Sequence, residues 1–234
     1  MTLPYVLAIT GASGAIYAVR LLQSLALAGA EVHLTISASG QAVIEQELGV
    51  KLDLNHFQPA DLLAVLCEPQ PTHPVLRAIQ QKDHQRQHPP ATAAQLSQRV
   101  TYSHHADFLA PIASGSFRTA AMVVCPCSGS TLSGIAHGAS QNLIQRAAEV
   151  HLKERRKLIV VPRETPVSSF QLENMKRLAD AGGIVLPAMP GWYHGVESLA
   201  DLLDFVVARV LDQLAIEHTL TKRWGTDNGN VSIN

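Results

Sequence analysis

Residues 5–34 read YVLAITGASGAIYAVRLLQSLALAGAEVHL. An apolar run stops at the glycine turn TGASGA, and a helical spacing of apolar residues begins at once. That is a strand, a tight turn and a helix, the unit from which parallel sheets grow. Gly11 and Gly14 let the backbone come close to a ligand, and Ser13 adds a hydroxyl. The helix that follows offers unpaired N–H groups and a partial positive charge, which favour an anion. The spacing GASGA is not the G-x-G-x-x-G of dinucleotide sites. An acidic residue does follow, about twenty positions on, at Glu31. It opens the second strand instead of closing it, so it lies at the wrong edge of the sheet for a ribose. The second strand ends in the small hydroxyl turn SASG, residues 37–40. A mononucleotide or flavin phosphate fits these turns better than a dinucleotide.

Working outward, strands are expected near 5–10, 31–37, 121–125, 157–161 and 183–186. Helices fill 14–28, 40–48, 131–137, 143–154, 169–181 and 197–214. Nearly continuous Val/Ile/Leu strands alternating with helices predict an α/β fold. It is a three-layer, doubly wound parallel sheet of Rossmann or flavodoxin-like type, in a single domain over 1–216 with a tail at 217–234. Length and composition agree: 234 residues, 47% hydrophobic, suit one domain with a substantial core. The stretch 58–102 is rich in Pro, Gln and His and breaks the pattern. It reads as an insertion lying outside the sheet. Its His73, His84 and His88 have no compact ligand spacing, so no metal site is expected.

A net charge of −1 gives no support for nucleic-acid binding. No apolar stretch approaches the roughly 20 residues of a membrane-spanning helix, and no secretory signal pattern opens the chain. Three cysteines are too few for a disulfide framework, which points to the cytoplasm. Cys125 and Cys127 lack a second pair to complete a zinc site and read as buried thiols.

In an open parallel sheet, ligands sit outside the carboxyl ends of the strands. The expected strand ends carry GASG, SASG, PCSGST, PRETP and PAMPGWYHG. Ser128, Ser130 and Thr131 cluster where a helix begins and can cap it or hold an anion. Glu164, flanked by Arg163 and two prolines, could carry a proton beside a bound phosphate. Arg146 and Lys153 lie seven residues apart on one helix face, whereas Arg155, Arg156 and Lys157 read as a solvated helix end offsetting the dipole. Arg209 sits at the margin of the last helix's apolar stripe, Leu199, Leu203, Val206, Val210 and Leu214. A charge there needs either a core-edge ion partner or an anionic ligand.

The segments GASGAIYAVRLL, PCSGSTLSGIAHG, LIQRAAEVHLKERRKLIVVPRETP, ENMKRLADAGGIVLPAMPGWYH and DFVVARVLDQL, in that order, resemble the UbiX-type flavin prenyltransferases. The resemblance spans 5–48 and 114–216. It implies transfer of a dimethylallyl group from dimethylallyl phosphate to N5 and C6 of reduced FMN, without a metal. The product, prenylated FMN, would serve a UbiD-type decarboxylase of the ubiquinone type of pathway. It further implies a homo-oligomer, a dodecamer, with sites at subunit interfaces. By matching motifs, FMN would be held by Gly11, Ala12, Ser13, Ser37, Ser128, Gly129, Ser130, Thr131 and Arg163. The prenyl phosphate would meet Arg146, Lys153, Tyr193 and Arg209, with Trp224 near the prenyl group. Glu164, Ser13 and Glu47 would be the catalytic set.

Two other functions are compatible with such a sheet. FMN-dependent decarboxylases of the cysteine-decarboxylase type share the fold but typically carry a P-A-S-A-N-T-like stretch where this chain has PCSGST. A non-enzymatic flavin carrier would keep the cradle and lose the cations, all of which are present here.

Overall fold

The structure, a computed structural model, describes residues 2–67, 73–85 and 91–221. Trp224, His88 and the tail from 222 onward lie outside the described residues. In chain order the elements are β1 (Tyr5–Ile9), α1 (Ala15–Leu27), β2 (Val32–Ile36), α2 (Ala38–Leu48), α3 (Pro59–Cys67), α4 (Pro74–Gln85) and α5 (Ala93–Ser97). Then follow β3 (Val100–Tyr102), β4 (Ala121–Cys127), α6 (Gly129–Ala136), α7 (Leu143–Lys153), β5 (Lys157–Pro162), α8 (Ser169–Asp180), β6 (Ile184–Val185) and α9 (Leu199–Leu214).

The strands form one parallel sheet in the order β3-β2-β1-β4-β5-β6. Alternation along each strand feeds two cores. Leu7 and Ile9 of β1 join one core with α1 and α9, while Val6 and Ala8 join the other with α6, α7 and α8. All four strand residues are fully buried. A sheet covered on both faces needs such two-sided apolar strands. Helix α1 is amphipathic, burying Ala18, Val19, Leu22, Leu25 and Ala26. It stops where Gly29 takes φ 77° and Ala30 N–H reaches back to the Leu25 carbonyl at 3.0 Å, a Schellman closure.

Placing 58–102 outside the sheet fails at its last three residues, 100–102. Its last residues form β3, which pairs with β2 at Val32–Val100 and Leu34–Tyr102. Leu62, Leu63, Leu66, Leu76, Ile79 and Leu96 are buried in the same core as α1 and α9. The polar composition misled because α4 buries only two side chains, Leu76 and Ile79, and docks through charge instead. Asp83 meets the buried Arg20 of α1 at 2.6 Å, and Arg20 Nε meets Asp204 of α9 at 2.9 Å. Lys82 pairs with Asp201.

The Asp201 carboxylate also accepts from the N–H groups of Glu197 (3.1 Å) and Ser198 (2.7 Å) and from the Ser198 hydroxyl (2.8 Å). Burial alone would raise its pKa, but Lys82 and these donors hold it down to about 2, from an ordinary 3.8. A carboxylate with a depressed folded-state pKa stabilises the fold above its unfolded pKa. That contribution, on the order of 1–2 kcal/mol, is lost as pH falls from about 4 towards 2. Asp201→Asn should therefore flatten the decline of melting temperature across that window. An unchanged slope would assign the acid sensitivity to other groups.

Leu199, placed on the apolar stripe of the last helix by its spacing, is 60% exposed. The buried stripe of α9 instead runs through Ala200, Leu203, Val206, Val207, Val210, Leu211 and Leu214. Among the described residues no helix is long and apolar enough to cross a membrane.

Candidate functional site

The strand order reverses between β1 and β4, and the loops after these strands are laced together. The Thr10 hydroxyl donates to the Pro126 carbonyl at 2.8 Å and accepts the Ser128 N–H at 2.8 Å. A side chain on Gly11 would overlap Ser39, so the β1 and β2 loops touch only because this residue is glycine. Ser37 caps α2 by accepting the Gly40 N–H at 3.0 Å, and its hydroxyl lies 3.1 Å from that of Ser39. Ser128 caps α6 by accepting the Thr131 N–H at 3.3 Å and sits 3.2 Å from the Ser130 hydroxyl. Arg163, at the tip of β5, donates to the Ser13 carbonyl at 3.2 Å. The structure thus gathers Gly11, Ala12, Ser13, Ser37, Ser128, Gly129, Ser130, Thr131 and Arg163 at one end of the sheet.

The anion at the start of α1 is part of the protein itself. The Glu47 carboxylate accepts the Gly14 N–H (3.0 and 3.1 Å) and the Ala15 N–H (2.9 Å). Gly14 holds φ 110°, a conformation that favours glycine. The first-turn donors and helix dipole that the sequence offers to a ligand phosphate are met by this carboxylate. The starts of α2 and α6 are capped instead by the hydroxyls of Ser37 and Ser128.

Glu164 does not face Arg163, as their adjacency suggests. Arg163 turns to Ser13, and Glu164 accepts from Gln171 Nε2 at 3.1 Å. Both thiols flanking Pro126 are buried, and burial pushes Cys127 up to about 12 and Cys125 further. Neither is a standing thiolate at neutral pH.

The cations are not brought together within one chain. Arg146 and Lys153 ride on α7, which packs on one face of the sheet, while Arg209 rides on α9 on the other. Helix α7 ends at Lys153, just before β5 starts at Lys157, so Lys153 lies at the amino edge of the sheet, opposite the loops. Each cation is locally paired: Arg146 with Glu149 at 2.9 Å, Lys153 with Glu154 at 2.6 Å and Arg209 with Asp212 at 2.8 Å. Arg209 is 51% exposed by side chain and its partner Asp212 20%, so within one chain it makes the ion pair expected at the edge of the core. Tyr193 is exposed, its ring 5.9 Å from that of Phe205 on α9. Arg156 is no solvated helix end: it is half-buried and donates to the Gly115 and Phe117 carbonyls at 2.5 and 2.7 Å.

The flavoprotein family profile matches residues 2–211. A flavin prenyltransferase UbiX from Pseudomonas aeruginosa is 46% identical over 94% of this chain and 92% of its own length. The chain belongs to the UbiX flavin prenyltransferase family.

Among solved structures, a UbiX protein in complex with FMN and dimethylallyl pyrophosphate superposes with a TM-score of 0.73 at 31% identity, covering 96% of this chain and 98% of that one. A dodecameric FMN-dependent UbiX-like decarboxylase from Escherichia coli O157:H7 gives 0.69 at 36% identity, over 92% and 96%. An FMN-dependent cysteine decarboxylase at 16% identity and a TM-score of 0.51 shares the fold alone.

One residue at the UbiX-like cradle escaped sequence reading. Gln171 orients Glu164, and its Nε2 would lie 3.0 Å from a side-chain carbon on Gly129. Its signal was legible: Ser168 and Gln171 form an S-x-x-Q capping box at the start of α8. A cavity of about 340 Å³ lies elsewhere, lined by Arg20, Asp83, Leu211 and His218 among others, and includes none of the predicted site residues.

Proposed function

We propose that this chain moves the dimethylallyl group of dimethylallyl phosphate onto N5 and C6 of reduced FMN, giving prenylated FMN. Near-full-length identity to UbiX flavin prenyltransferases carries this reading. The cradle fits a flavin mononucleotide: Gly11 lets the first two strand-tip loops close on one another, and the hydroxyl-rich helix starts at Ser37 and Ser128 suit a phosphate.

Bound there, reduced FMN supplies an electron-rich ring to attack the allylic carbon. Gly11, Ala12, Ser13, Ser37, the 128–131 turn and Arg163 hold it. As the allylic C–O bond breaks, its electron pair leaves on phosphate, and fixed cations stabilise that charge. Arg146, Lys153 and Arg209 are those cations, Tyr193 adds a hydroxyl donor to the phosphate, and Trp224 would stand near the prenyl group. Opposite faces of the sheet carry Lys153 and Arg209, so copies of the chain complete one another's sites, in an assembly like the dodecameric Escherichia coli relative. Glu164, oriented by Gln171, passes a proton towards the departing phosphate with the Ser13 hydroxyl. Glu47 keeps the Ser13–Gly14 turn in place. The 1–216 domain works in the cytoplasm and hands its product to a UbiD-type decarboxylase.

Anaerobic incubation with reduced FMN and dimethylallyl phosphate, followed by mass analysis of the flavin, tests this. Flavin carrying the added prenyl mass is expected. Unchanged flavin that stays tightly bound would make the chain a carrier.

A further inference from the structure

Residues 113–117, ASGSF, form a turn laid against the end of α7, with the Phe117 N–H closing on the Ser114 carbonyl at 3.2 Å. Three of its carbonyls are taken by two arginines. Arg146 Nε donates to Ala113 at 3.0 Å, and Arg156 donates to Gly115 at 2.5 Å and Phe117 at 2.7 Å. Gly115 is the contact point with the helix. A side chain there would overlap the Glu154 carboxylate and stand 2.9 Å from Lys153 Nζ.

Arg156 is itself held from behind. Beyond the helix end at Lys153, Arg155 takes φ 55° and Arg156 N–H returns to the His151 carbonyl at 2.8 Å. His151 is buried, with its ring nitrogens 2.8 Å from the Thr119 hydroxyl and 2.7 Å from the Ala147 carbonyl. Burial lowers its pKa, so it serves as a neutral buttress at neutral pH. The guanidinium is therefore a fixed fork joining the 113–117 turn to the root of Lys153.

We propose that Arg156 is a positioning residue for prenyl transfer: by clamping the Gly115 turn it sets where the Lys153 ammonium stands. This rests on the reading that Lys153 meets the prenyl phosphate. The clamp accounts for an arginine, rather than any cation, at 156. A lysine is a point charge and cannot bridge two carbonyls with the geometry of a planar fork.

Steady-state kinetics on the assembled enzyme separate the possibilities. Arg156→Lys should raise the KM for dimethylallyl phosphate about tenfold, with the FMN Kd and melting temperature close to parent values. Gly115→Ala, which presses on the same ammonium from the turn side, should do likewise and stands in if Arg156→Lys does not fold. In a Lys153→Ala background, Arg156→Lys should add almost nothing, because two residues acting through one contact are not additive. Additive effects, or a loss of FMN affinity in step with the rise in KM, would make Arg156 a general structural residue and overturn the proposal. So would an unchanged KM in Arg156→Lys beside a raised one in Lys153→Ala. An unchanged KM in Lys153→Ala itself would instead remove the reading on which the proposal rests.

Discussion

Glu164→Gln should bind FMN as the parent does and transfer the prenyl group about 10²- to 10⁴-fold more slowly, the range that a positioned proton donor contributes. The side chain stands at the tip of β5, outside the hydrogen bonds that tie the strand-tip loops together. Those run through Thr10, Ser37, Ser128 and Arg163. Its neighbour Gln171 is fixed at both ends of a capping box, accepting the Ser168 N–H at 2.8 Å and giving its own N–H to the Ser168 hydroxyl at 3.3 Å. It then donates to Glu164 at 3.1 Å. A glutamine at 164 can still accept that bond through its amide oxygen, so the geometry survives and only the titratable proton is lost. Departure of phosphate from an allylic carbon is eased when the leaving oxygen gains a proton, which an amide cannot provide. Fluorescence titration of FMN and anaerobic single-turnover rates give the two halves of the result. Parental turnover would take Glu164 out of the chemistry. A parallel fall in FMN affinity would make it part of the cradle.

The sheet was legible in the sequence because its strands are buried on both faces. Leu7, Val123 and Val160 stand in unbroken apolar runs that no exposed strand would tolerate. The strand-tip turns were legible too, since Gly11, Ser37 and Ser128 sit where a helix must begin. β3 was not: it is a short edge strand following a polar stretch, and the helix before that stretch is docked by ion pairs more than by an apolar stripe. Glu47 and Arg156 show the same limit at the site. Each acts through a partner distant in sequence, Glu47 on Gly14 and Arg156 on Gly115. Helical spacing reports a side chain's direction but not what another segment brings to meet it. Lys153 and Arg209 mark the remaining boundary, because a motif can name both without revealing that one chain keeps them on opposite faces.

The largest loss of stability is expected from Arg20→Met. Arg20 is 1% exposed, inside the core between α1, α4 and α9, and Asp204 is fully buried. Its Nε lies 2.9 Å from Asp204, its Nη1 2.7 Å from Gln23 and 2.6 Å from Asp83. Burying these charges costs several kcal/mol per ion, which their mutual attraction and hydrogen bonds must offset. Removing the cation takes away the offset and leaves the cost, a net loss of about 3–5 kcal/mol. For a chain of this size that is a fall in melting temperature on the order of 10 °C. Lys82 offsets only part of this, since its Nζ stands 3.9 Å from Asp204, beyond hydrogen-bond distance. Asp83→Asn should cost far less: that carboxylate is 20% exposed and Arg20 keeps Asp204 and Gln23. Pairing Arg20→Met with Asp204→Leu should recover much of the loss, because an apolar pair has no desolvation cost to offset. Thermal melts of the three variants decide the matter. Equal losses for Arg20→Met and Asp83→Asn would shift the weight from the buried Arg20–Asp204 contact to the docking of α4. No recovery in the double variant would mean that shape, rather than charge, makes this part of the core selective for arginine.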